Sequence, residues 1–181
     1  MTHWNHKIQK TTASIMTEFG KLSEEDLNWK PGPDRWSIAQ VMDHVMTTNE
    51  SYFPIFDQIK EDTYTTPLMG RIPFITSMMG KMILKYVNPG MKKKTKTFRP
   101  WEPAQSRISA DITGRFQQHQ QDLMVRINSL EKYLDRKYII SSPINRNIVY
   151  SLDDAIEIIV AHEERHLNQA REVLEARKLS E

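Results

Sequence analysis

Four long segments of this chain repeat apolar residues at helical spacing, and that periodicity limits the fold more than any other feature. In the first, Trp4, Ile8, Ile15, Phe19 and Leu22 fall on one stripe between about residues 4 and 22. The second opens at Ser37 and carries Ile38, Val41, Val45, Tyr52, Ile55 and Ile59 on its buried face. The third covers roughly Ala104 to Tyr133, with Ile108, Ile112, Phe116, Leu123, Ile127 and Leu130 facing inward. The last follows Ser151 and aligns Ala155, Ile159, His162, His166, Ala170 and Val173. Four amphipathic helices and no convincing strand predict an all-α fold, a four-helix bundle. One domain over residues 1–181 is expected, with a helical insertion at about 60–103 between helices two and three.

Local signals mark the helix ends. In NWKPGPDRW, Pro31, Gly32 and Pro33 forbid helix continuation. Ser37 and Gln40 then form an S-x-x-Q capping box, and Trp36 can staple onto Val41 across it. The polar connection SSPINRN leads to the last helix, where Ser151 and Asp154 supply a second box and Asp153 and Asp154 suit the positive helix start. Within the insertion, Met69 to Tyr86 reads as an amphipathic helix carrying Ile72, Ile75, Met79, Met82, Ile83 and Tyr86, followed by Lys92, Lys93, Lys94 and Lys96. Such a helix can form an adaptable apolar wall or lid, or lie on an anionic membrane surface. Arg71, Lys81 and Lys85 do not make a clean polar face in the pattern, which favours the intramolecular role.

Composition removes several functions. The 25 basic and 23 acidic residues nearly balance, leaving a formal charge of +2, which argues against a dedicated nucleic-acid binder. The chain has no cysteine, so disulfides, thiolate ligands and a cysteine nucleophile are excluded together. Any thiol chemistry needs the thiol as a substrate. A metal would have to be held by imidazole, carboxylate or water, which suits zinc, nickel, iron or manganese, with zinc and nickel foremost. The N-terminus lacks a signal-type apolar core, and no stretch reaches the roughly 18 apolar residues of a membrane span; a cytoplasmic location is the expectation.

The last helix places histidines where apolar residues belong. His162 and His166, four positions apart, project from one face and can share a metal ion. With Glu163 they match H-E-x-x-H, the zincin signature in which the glutamate is general base. Only 15 residues follow His166, without the glycine and third histidine of the metzincin form, so the protease reading fails. Glu172 and Glu175 share the helix and cannot fold back to the metal. A third ligand must come from another element, and His44, between Val41 and Thr48 at helical spacing, is the best-placed candidate. The competing reading is ordinary: an inward histidine is often a hydrogen-bonded core residue. Two idle ones would each need a buried partner.

The stretch KPGPDRWSIAQVMDHV, followed about 120 residues later by SLDDAIEIIVAHEERHLNQ, resembles the DinB/YfiT-like superfamily of metal-binding four-helix proteins. The likeness lies in order and spacing: a Pro-containing loop, Trp-Ser at a helix start, a histidine seven residues beyond that serine, and H-x-x-x-H in the final helix. It spans essentially the whole chain, least well over residues 60–103. It implies a metal triad of His44, His162 and His166. It also implies a divalent ion that activates a low-molecular-weight thiol, as in bacillithiol-dependent transferases and mycothiol-dependent isomerases.

The expected function is therefore a metal-dependent enzyme acting on a small molecule, as a thiol-dependent S-transferase or a hydrolase-like activity. The alternative is a non-catalytic, metal- or ligand-binding bundle protein of stress response. Glu163, Asp43, Gln169 and Arg165 are candidates to orient a ligand imidazole, against the simpler reading of each as a solvated charge or polar group. His119, between Phe116 and Leu123, is a candidate proton shuttle or a core-edge histidine. His3 and His6 fit a surface position near the terminus, and Trp29, Trp36 and Trp101 fit packing anchors. A homodimer is expected from related bundles, with no face indicated.

Overall fold

The computed structural model describes residues 2–90, 97–103, 106–134, 136 and 138–180. The run Lys92, Lys93, Lys94 and Lys96 and the expected start of helix three at Ala104 lie outside these. Four helices build the bundle: α1 (His3–Phe19), α3 (Ile38–Glu50), α6 (Ile112–Ser129) and α8 (Leu152–Lys178). Shorter elements connect them: α2 (Glu24–Asn28), α4 (Phe53–Lys60), α5 (Pro73–Val87), α7 (Glu131–Leu134), β1 (Ile139–Ser142) and β2 (Asn145–Ser151).

The caps act where the sequence places them. Ser37 and Gln40 close a reciprocal box at the start of α3. At α8, the Ser151 hydroxyl accepts from the Asp154 N–H at 3.0 Å, and the Asp154 carboxylate lies against Gly80 of α5. Gly80 lets α5 approach α8 closely, since any Cβ there would meet that carboxylate.

Three expectations need correction. The second helical segment is not continuous to Ile59: it breaks at Ser51–Tyr52 into α3 and α4. Pro54 has no N–H to donate, and its ring collides with the carbonyl four residues back, that of Glu50. The third segment begins at Ile112 rather than near 104, because the Asn28 side chain captures both backbone groups of Ile108 at 2.7 Å. Ile108 is still buried, but as a tethered loop residue. The SSPINRN connection contains strand structure: β1 and β2 pair antiparallel, with Ile139 opposite Ser151 and Ile140 opposite Tyr150. Ile140 and its partner Tyr150 are buried on one face of this hairpin, Val149 and its partner Ser141 on the other, and α5 packs against β2.

Contacts between particular residues fix the helix directions. Trp4 bonds Glu157 and Glu18 pairs with Arg171, so α1 and α8 run parallel. Asn49 of α3 meets His119 while Asp57 of α4 meets Arg126, so α3 and its continuation α4 run parallel to α6. Antiparallel contacts join α1 to α6 (Asn5 with Asn128) and α3 to α8 (Asn49 with Glu163). The bundle is thus up-down-down-up, and residues between α4 and α6 make the long crossover that a parallel neighbour pair requires.

The apolar interior is divided in two. One cluster joins Trp4, Ile8, Phe56, Leu123, Ile127, Ile156 and Ile159. The other joins Ile15, Phe19, Ile38, Val41, Phe116, Ala170 and Val173. Between them every bundle helix contributes buried polar side chains: Thr11, then His44, Thr48 and Asn49, then His119 and Gln120, then Glu163 and His166. Desolvating a polar layer at mid-bundle is expensive, so it marks the working part of the fold.

Candidate metal centre

Histidines one helical turn apart on α8 face a single histidine on α3. The His162 Nε2 lies 3.0 Å from the His166 Nε2 and 3.2 Å from the His44 Nε2. The three candidate ligand atoms all fall within 4.8 Å of one another. Nitrogen ligands at the ordinary bond length around a tetrahedral zinc ion sit about 3.3 Å apart, so these spacings fit a shared divalent cation. Among the described residues this is the one such group. The structure thus brings His44, His162 and His166 into one cluster.

The chemistry of the rings agrees. Burial lowers the His44 pKa, and holds those of His162 and His166 well below the usual imidazole range. All three are neutral near pH 7, the form that offers a lone pair to a cation. For His44 a second contact selects the tautomer: its Nδ1–H donates to the Trp101 carbonyl oxygen at 2.6 Å, leaving Nε2 as the ligand atom. The His162 Nδ1 is buried without a partner, while the Gln169 side chain approaches His166 and raises its pKa against the effect of burial. Trp36, placed by the cap of α3, tilts against the His44 ring with centroids 4.8 Å apart and stacks toward His166 at 6.3 Å.

The imidazoles open onto a cavity of about 840 Å³. Ile83 and Val87 of α5, Ile148 of β2 and Ile158 of α8 form apolar walls. Charged groups gather at the rim, where Arg35 and Glu172 pair at 3.9 Å and Arg165 donates to the Tyr86 carbonyl at 2.6 Å. The Tyr52 and Tyr150 hydroxyls meet at 2.8 Å in the wall, and burial raises both phenol pKa values, Tyr150 to about 12. Both phenols stay protonated and can donate.

Glu163 sits between the two α8 histidines in sequence and turns the other way. Its Oε1 accepts from Asn49 at 2.7 Å and from Gln120 at 2.8 Å, while Oε2 has no partner. Burial pushes its pKa up to about 7 against the lowering effect of those two amides. The Asn49 amide also meets the His119 Nε2 at 3.2 Å, and the His119 Nδ1 lies 3.4 Å from a Glu50 carboxylate oxygen. Burial takes His119 down to about 4. The two expected helper residues thus belong to one buried network behind the histidines, on the side away from the cavity.

Asp43 is half-buried and raises the His44 pKa through its charge. Gln169 and Arg165 line the cavity, and His3 and His6 are exposed. Trp29 and Trp36 pack against the core, and Trp36 and Trp101 line the cavity. Sequence reasoning missed Asn49, Gln120 and the Trp101 carbonyl. Asn49 and Gln120 had a signal, polar amides inside otherwise apolar helix stripes; a backbone carbonyl from the crossover has none.

A solved structure shares the fold. YfiT from Bacillus subtilis, described as a probable metal-dependent hydrolase with an unusual four-helix bundle topology, has a similar structure, with a TM-score of 0.55 at 13% identity. The likeness covers 98% of this chain and 86% of YfiT, and at that identity it bears on the fold. No curated protein matches the chain in sequence. Residues 7–170 match the DinB superfamily, a span holding the bundle, the crossover and all three clustered histidines, and the chain belongs to that superfamily.

Proposed function

We propose that this protein is a divalent-metal-dependent enzyme acting on a small molecule held in the cavity, as a thiol-dependent S-transferase or a hydrolase. His44, His162 and His166 are the ligands in this reading, with zinc or nickel as the ion. The observation that carries it is the convergence of three neutral Nε2 atoms at a wide cavity. Three protein ligands facing open space are the pattern of catalytic rather than structural sites.

A divalent cation bound there lowers the pKa of a coordinated water or thiol and so supplies a nucleophile near neutral pH. The chain's own groups do the rest. Trp101 holds the His44 tautomer through its carbonyl, and Trp36 covers two of the rings. Ile83, Val87 and Ile148 favour an apolar portion of the substrate, while Arg35 and Arg165 at the rim favour an anionic end. The Tyr52–Tyr150 pair offers a hydroxyl to a polar group in between. A transferred thiol has to come from solution, because the chain has no cysteine.

The test is a panel of low-molecular-weight thiols with conjugable electrophiles, beside a panel of esters and amides, assayed with zinc- and with nickel-loaded protein. Metal-dependent turnover that His162→Ala abolishes supports the reading, and the panel that responds decides between transfer and hydrolysis. Full metal occupancy with no turnover on either panel favours a non-catalytic, ligand-binding bundle.

A further inference from the structure

The α5 helix is apolar on two sides, and only one of them is covered. Ile83, Leu84 and Val87 pack against the core, and the Met79 Sδ accepts from the Val149 N–H at 3.4 Å. The opposite side carries Phe74, Met78, Met82 and Tyr86 at four-residue steps, which aligns them in one row. Phe74 is 75% exposed, and the other three are exposed over nearly half their surface. Leu68 and Ile72, just before the helix, and Phe98, later in the same crossover, are exposed as well. Seven of the nine large apolar side chains exposed among the described residues therefore lie between Leu68 and Phe98. A concentration of that kind marks a contact surface.

Charge is segregated in the same segment. Exposed Ser77, Lys81 and Lys85 form a second row beside the apolar one, which sequence pattern alone does not resolve because both helix sides are apolar. Eight of the 25 basic residues and none of the 23 acidic ones fall between Thr63 and Trp101. The rest of the chain is net acidic, with 17 basic against 23 acidic residues. Lys81 and Lys85 have no ion-pair partner among the described residues.

We infer that the outward face of α5 docks on an anionic phospholipid surface, with the Phe74–Tyr86 row among the acyl chains and Lys81 and Lys85 at the headgroup phosphates. An interfacial helix needs an apolar stripe, flanking cations and few carboxylates, and this segment has all three. No helix of the described residues is long and apolar enough to cross a membrane, so the contact is peripheral. Docking of a second copy through the same face would set like charges together, which argues for lipid over self-association. Ile83, Tyr86 and Val87 also line the cavity, so this docking would bring its wall to the lipid boundary.

Co-sedimentation of the metal-loaded full chain with phosphatidylcholine vesicles, with and without half phosphatidylglycerol, tests this. The expected result is binding to the anionic vesicles only, weakened by 0.5 M salt. Lys81→Glu with Lys85→Glu should lower partitioning about 25-fold or more, at about fivefold per cation removed. Phe74→Ser with Met82→Ser should lower it at every salt concentration. All four positions are exposed, so melting temperature and metal content should stay unchanged. Absence of binding, equal binding to neutral vesicles, or partitioning indifferent to both double variants would overturn the inference. So would a dimer in sedimentation velocity that Phe74→Ser with Met82→Ser converts to monomer. None of these readouts depends on turnover, so they stand apart from the proposed reaction.

Discussion

The His44 Nδ1 lies 2.6 Å from the carbonyl oxygen of Trp101, so a residue of the crossover sets which nitrogen a bundle residue offers. The contact joins a rigid helix to the short 3₁₀ turn Arg99–Trp101, whose Trp101 ring packs edge-on against Phe98 at 5.8 Å. Trp101→Gly should loosen that turn and free the His44 ring. Zinc affinity by calorimetric titration is expected to fall about 10- to 100-fold, as when a ligand histidine loses its orienting acceptor. His162→Ala should instead abolish binding.

The metal-free protein should gain stability when one histidine of the cluster is removed. His162 is flanked by two other imidazoles, and its Nδ1 is buried without a partner. His162→Leu fills similar space with no polar atom to desolvate. After chelation, urea denaturation should show the variant more stable than wild type by about 1–3 kcal/mol, the usual cost of an unsatisfied buried group. Adding zinc should reverse the order, because only wild type gains stability from binding.

Glu163 should make the protein less stable as the solution turns alkaline. Its folded pKa, about 7, stands above the unfolded value near 4.5, so the native state holds the proton more tightly in between. That stability is fully present below 4.5 and is lost as pH rises through 7, by roughly 3 kcal/mol in all. Denaturant titrations at pH 5 and pH 8 should show wild type losing stability relative to Glu163→Gln as the pH rises. An equal fall in both proteins would mean that another group titrates.

His119 predicts the opposite slope. Its folded pKa of about 4 is below the unfolded 6.5, so the unfolded chain binds the proton first. Stability should decline as pH drops from about 6.5 to 4 and then level. His119→Gln offers an amide to Asn49 and should make that acid limb shallower, read by thermal melts at pH 4.5 and 6.5.

The bundle is legible in the sequence because its signals are local. Ser37 with Gln40, the proline-rich loop before them, and the stripes around Phe116 and Ile159 depend only on neighbours within a turn or two. The three-histidine cluster is half legible: the four-residue step from His162 to His166 is local, whereas its meeting with His44 depends on an antiparallel packing that spacing does not encode. What escaped rests on long-range partners. Asn28 holds Ile108 across 80 residues, and the α5 helix covers the hairpin that buries Ile140 and Tyr150. Pro54 was a local signal, overridden in reading by the apolar spacing on either side of it.

The up-down-down-up path has a consequence for how such a protein can diversify. Parallel neighbours cannot be joined by a tight turn, so the chain must travel the bundle's length between α4 and α6, and that return strand of chain roofs the histidines. The cavity above the histidines is therefore walled partly by the bundle helices and partly by this return segment. Lengthening the return costs little, about 0.6 kcal/mol of closure entropy for each doubling. New binding preferences can be grafted onto an unaltered three-imidazole frame.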